Sequence, residues 1–235
     1  TLIQRLKSWS PIVRERAAME LGRRNEPAIV PSLIQLLSSR DLDGQIGACQ
    51  ALKFQRGRAE PAIAALRKAF RSSDLWLRVM SAEALAAIGE PARKVVPELL
   101  SRLSLKASSK DPRNMEQRYL TIALFSQRNG LIGKSLESVD SKMLVKAVRA
   151  SLLNQDGRAR GAVATVYKNL SFKQLKPLLP AILEAITVRA PSGIMFAHEI
   201  RMAGLELFAT HRIAEGIELL ADYALDMKPH ASEHR

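Results

Sequence analysis

Apolar residues fall at i, i+3, i+4, i+7 in short stretches along this chain, and polar turns separate the stretches. Val30, Leu33, Ile34 and Leu37 form one stripe, and Val96, Leu99, Leu100 and Leu103 another. Leu175, Leu178, Leu179, Ile182 and Ile186 form a third. This spacing predicts amphipathic helices with one buried face. After each stripe comes a polar turn, several of which carry Asp (Asp41, Asp74, Asp111, Asp156), and then an alanine-rich stretch such as Arg14–Leu21, Gln45–Leu52 or Arg78–Ile88. Asp suits a helix start because its carboxylate accepts the free amide hydrogens of the first turn. Alanine lets neighbouring helices approach closely.

The two-helix pattern repeats. Glu26-Pro27-Ala28, Glu60-Pro61-Ala62 and Glu90-Pro91-Ala92 recur after the alanine-rich stretches and place proline where first helices should begin. Arg14, Arg78, Arg118, Arg160 and Arg201 each stand seven residues before Leu21, Leu85, Phe125, Tyr167 and Phe208, and Gln45 with Leu52 fills the remaining slot. A period of about 31 to 42 residues signals stacked helix pairs. The expectation is an all-α chain, a right-handed α-solenoid of about six helix pairs. Its alanine-rich second helices line the inner face and its first helices the outer one.

Composition agrees. Aromatics make up 5 % and strand-like runs of Val, Ile and Thr are missing, while the hydrophobic fraction of 47 % suits a folded chain. The net charge is +13, with 21 Lys/Arg against 12 Asp/Glu over residues 1–118 and 15 against 11 over 119–235. Such a balance attracts polyanions without choosing among nucleic acid, acidic glycan and anionic membrane surface. No apolar run approaches the ~20 residues of a membrane span. The single Cys49 excludes an internal disulfide framework and sits where a small core residue is wanted. The chain opens Thr1-Leu2-Ile3 without methionine, and residues 226–235 carry no stripe and read as a frayed tail. Both fit a single solenoid domain over residues 1–235, cut from something longer. The sequence fixes no compartment.

Asp74-Leu75-Trp76-Leu77-Arg78-Val79-Met80-Ser81-Ala82-Glu83-Ala84-Leu85 resembles the HEAT-repeat family, particularly its short bacterial form. Gly47–Phe54, Gly157–Gly161 and Ser192–Phe196 look, more narrowly, like the HEAT segment of large bacterial proteins that also carry a PDZ domain. The resemblance implies a scaffold that holds another protein, or another domain of its own chain, rather than an enzyme or a cofactor carrier. It also implies Asp–Arg bonds between neighbouring units, for which Asp74/Arg78 and Asp156/Arg160 have the spacing.

Candidate chemistry is sparse. Arg14, Arg78, Arg118, Arg160 and Arg201 at one repeat phase could grip phosphates or carboxylates bidentately, or could pair within the protein. Trp76 beside Asp74 resembles the aromatic and acid of HEAT-like DNA glycosylases, but Asp74 already fits a helix cap and nothing beyond the fold is shared. Two long loops can carry ligand contacts or cover a groove. Residues 129–141 contain Gly130, Gly133 and Lys134, and residues 189–197 contain Ser192, Gly193, Met195 and Phe196. Residues 104–113 read as a polar basic linker. Gly133-Lys134-Ser135 lacks the first glycine of a phosphate loop, which would stand at Arg128. His198-Glu199-Ile200-Arg201-Met202 lacks the second histidine of a zinc helix, and no metal site is expected. Protein docking leads, with polyanion binding as the runner-up.

Overall fold

The computed structural model describes residues 1–24, 26, 28–106, 108–126, 130–132, 139–154, 157–164, 166, 170–187 and 197–225, and every regular element among them is helical. The fold is all-α, an α-solenoid built of helix pairs. The chain divides into two compact units, Thr1–Leu99 with Arg128–Ile132, and Leu100–Gln127 with Gly133–Arg235.

The first unit contains α1 (Leu2–Arg5), α2 (Pro11–Arg24), α3 (Ile29–Leu37), α4 (Leu42–Gln55), α5 (Ile63–Phe70) and α6 (Leu75–Ile88). It also holds the start of α7 (Val96–Leu103). The second helices α2, α4 and α6 are each 14 residues long and pack in series, α2 on α4 and α4 on α6. Their contact faces are small: Ala18, Ala48, Cys49, Ala51, Ala82 and Ala84 are all 0 % exposed. At Gly47 even a methyl group would collide with the Leu6 carbonyl, so glycine sets how closely the first pair can seat on the second. Fully buried Gln55 adds a polar tie, its Nε2 donating to the Leu21 carbonyl at 3.1 Å.

The first helices supply the stripes. Val30, Leu33, Leu37, Val96, Leu99, Leu100 and Leu103 are all buried, with Ile34 half-buried. The entry to these helices differs from the expectation. Pro61 lies inside a 3₁₀ stretch, Arg56–Ala62, and Pro91 opens another, Glu90–Val95, so α geometry begins only at Ile63 and Val96. Proline has no amide hydrogen and crowds the turn before it, which a short i→i+3 stretch accommodates. Pro27 lies outside the described residues.

The second unit continues with α8 (Met115–Phe125), α9 (Ser141–Leu152) and α10 (Gly157–Ala164). α11 (Phe172–Leu175) runs through a 3₁₀ turn into α12 (Leu179–Thr187), followed by α13 (Ala197–His211) and α14 (Ile217–Leu225). Here α8, α10 and α13 take the second-helix role, α10 packing on both others, while α9 and α12 pack beside them. Leu175, Leu178, Leu179, Ile182 and Ile186 are buried, as their spacing predicts. Thr121 and Ser151, both 0 % exposed, join α8 to α9 through hydroxyls 2.8 Å apart. The 226–235 tail lies outside the described residues.

Candidate functional site

The arginine slots are built from the turn that leads into each second helix. Asp41 and Asp74 cap α4 and α6, accepting from the Gly44 and Leu77 amides at 3.1 and 2.8 Å. A serine two residues before the cap position holds the turn. The amides of Ser10, Asp41 and Asp74 donate to the hydroxyls of Ser8, Ser39 and Ser72 at 3.2, 3.3 and 3.1 Å. Four residues past the cap position, a long side chain reaches back over the turn. Arg14 Nη1 donates to the Ser8 and Trp9 carbonyls at 2.6 and 3.1 Å. Arg78 Nη1 donates to Ser72 and Ser73, both at 2.9 Å. Gln45 does the same without charge, its Nε2 donating to Leu37 and Ser39 at 3.1 and 2.8 Å.

In the second unit Arg160 Nε donates to the Asn154 carbonyl at 2.6 Å. Arg118 is half-buried with its guanidinium 5.3 Å from the Tyr119 ring centre. The neighbouring Gln117 reaches back as well, its Nε2 2.9 Å from the Leu105 carbonyl. Asp111 caps α8 from outside, taking the Met115 and Glu116 amides at 2.8 and 2.9 Å, while Asn114 adopts φ +51. Arg201 is half-buried on α13. Arg14, Arg78 and Arg160 are only 6, 8 and 5 % exposed, so these three guanidinium groups sit inside the turns rather than on a face.

Arg14 also bonds to Asp43 of the next pair at 2.6 Å, a link between neighbouring units. Asp74 is occupied as a cap, and Asp156 lies outside the described residues. Further ion pairs join neighbouring helix pairs: Lys53–Glu83 at 3.0 Å between α4 and α6, and Arg67 of α5 and Arg71 just past its end with Glu98 of α7 at 2.9 and 2.7 Å. Arg102 binds Glu116 through two bonds, at 2.8 and 3.0 Å. The hydrogen bond from Arg71, helped by Arg67, holds the Glu98 carboxyl below its ordinary range. Burial pushes the Cys49 thiol well above the usual cysteine value, so it stays protonated and inert.

Trp76 is 44 % exposed, and it is not alone: Trp9, Ile12 and Leu42 are 84, 62 and 43 % exposed. All four lie within two residues of the cap positions Ser10, Asp41 and Asp74, at one end of the second helices α2, α4 and α6. Sequence reasoning found Trp76 and missed the others. The repeat phase was the available signal, since Ile12 and Trp76 stand at the same offset from their caps. Gly130 is half-buried, while Gly133, Lys134, Ser192, Gly193, Met195 and Phe196 lie outside the described residues. Among the described residues no group of His, Cys, Asp and Glu side chains is placed to hold a metal ion, and no helix is long and apolar enough to cross a membrane.

The turn-capped, alanine-packed pairs of the first unit find a counterpart among known families. Residues 1–78 match the family model for HEAT repeats. In these HEAT-like pairs the residue reaching back over the turn is Arg14 or Gln45, and Arg78 stands at the last matched position. Among solved structures the chain is similar to a crystal structure of an engineered protein from the Northeast Structural Genomics Consortium. The identity is 17 %, with 89 % of this chain and 97 % of that one covered at a TM-score of 0.57, a likeness of fold alone. No curated protein matches the chain.

Proposed function

We propose that this chain is a non-enzymatic scaffold for protein–protein interaction, and that the apolar edge of Trp9, Ile12, Leu42 and Trp76 is a contact surface. HEAT repeats generally serve as protein-interaction scaffolds, and the match over residues 1–78 covers all four of these side chains. The observation that carries the reading is their recurrence. Single exposed apolar residues are ordinary, but here they recur beside the same capped turn of α2, α4 and α6. Tryptophan is the residue type that most often anchors such contacts. The narrower likeness to HEAT segments of PDZ-bearing proteins points the same way, toward a module docking on another protein or on another domain of its own chain.

The polyanion reading draws support from the net charge of +13. It draws little from the arginine row, because Arg14, Arg78 and Arg160 already donate to turn carbonyls. A photo-crosslinking residue at position 42 separates the two readings. A protein partner gives adducts that are protease-sensitive, survive raised salt and disappear in Ile12→Ser with Trp76→Ser at unchanged thermal stability. Nuclease-sensitive or glycan adducts that fade steeply with salt overturn the scaffold reading.

A further inference from the structure

The outer side of α2 is chemically unlike the faces its repeat equivalents present to a neighbour. Counted from the cap positions, Gly44, Gly47 and Ala51 of α4 are buried, and Gly47 lies against Leu6 of the preceding pair. Leu77 and Ala84 of α6 are buried at the first and last of these phases. The matching residues of α2 are Val13, Arg16 and Glu20, two of them charged, and all three reach solvent. Beside them α1 and α2 enclose an open groove of about 800 Å³. Leu2, Val13 and Met19 line it with apolar surface, and Arg5, Arg16 and Arg23 stand exposed among its walls. Its one carboxylate, Glu20, is engaged by Arg24 at 3.3 Å.

We propose that this groove takes an acidic amphipathic helix from a partner protein. Apolar side chains interspersed with guanidinium groups suit a helix that carries both leucine-like residues and carboxylates on its docking side. Arg16 and Arg23 are seven residues apart on α2, two helical turns or about 10.5 Å, the spacing at which carboxylates recur along one border of a docked helix. A second copy of this chain is a poor occupant, since pairing two such grooves would bring arginine against arginine on molecules that each carry +13. The inference rests on the scaffold reading and adds to it a site and the chemistry of the partner.

The test uses the full chain and a fluorescein-labelled designed helical peptide with Leu on one face and Glu along its borders. One control replaces every Glu by Lys, and another keeps the composition but scatters the Leu residues. Fluorescence anisotropy should show the designed peptide binding at least about tenfold more tightly than either control. Arg16→Glu with Arg23→Glu should weaken it by about tenfold or more, and so should Met19→Asp, with the circular dichroism unchanged in each. Absent binding, equal binding of the scattered peptide, displacement by heparin at equal charge, or indifference to these substitutions overturns the proposal. So does a dimer, seen by sedimentation, that the Arg16→Glu/Arg23→Glu variant dissolves. Loss of the peptide interaction with intact crosslinking at position 42 removes the groove and leaves the scaffold reading standing. Peptide binding without protein adducts at position 42 does the reverse.

Discussion

Arg78 is 8 % exposed, and its Nη1 stands 2.9 Å from both the Ser72 and Ser73 carbonyls. Truncation would leave those acceptors without this donor and open a void, so Arg78→Ala should lower stability by about 2–4 kcal/mol in urea denaturation. Arg78→Gln should recover most of that loss, because Gln45 already bridges two carbonyls at the same phase. A retained deficit in the glutamine variant would mean that charge, not reach, matters at this position. Arg56, at the end of α4, adopts φ 53 and ψ −134, close to the φ 82 and ψ −137 that Gly89 takes at the end of α6. A side chain is strained there, so Arg56→Gly should raise stability by about 1 kcal/mol, read as a shift in the denaturation midpoint.

At the level of helices, α5 and α7 are tied through Glu98, whose folded pKa is depressed by Arg71 and Arg67. The contribution of a depressed carboxylate is complete above the ordinary glutamate value of about 4.3 and is lost as pH falls through the lower folded value. Thermal unfolding from pH 6 downward should therefore show the wild-type protein losing its advantage over Glu98→Gln below about pH 4. Parallel curves across that range would remove the ion pair from the account. The helices themselves were legible in the sequence because their signal is local: Val96, Leu99, Leu100 and Leu103 announce a buried stripe wherever they stand. Asp41 and Asp74 announced caps for the same reason. The destination of the arginines was not legible, since only the folded turns show that Arg14 and Arg78 spend their guanidinium groups on turn carbonyls. The serines at positions 8, 39 and 72 were readable as a repeat but have no meaning until their hydroxyls meet the amides two residues on.

For the chain as a whole, a net charge of +13 guarantees some attraction to polyanions whatever the function. Arg78→Ala with Arg160→Ala should leave the salt concentration for elution from heparin nearly unchanged while lowering thermal stability, because both guanidinium groups are buried. Earlier elution at unchanged stability would return these two arginines to a ligand-binding role. The three 14-residue second helices carry a different consequence. Excising Asp41–Ser73 would join Arg40 to Asp74, and the splice would read Ser39-Arg40-Asp74, with the serine still two places ahead of its aspartate. Such a shortened polypeptide keeps a complete turn at the seam, as a bookshelf closes up when one volume of standard width is removed. Array length is thereby a heritable dial that recombination can turn without composing a new junction.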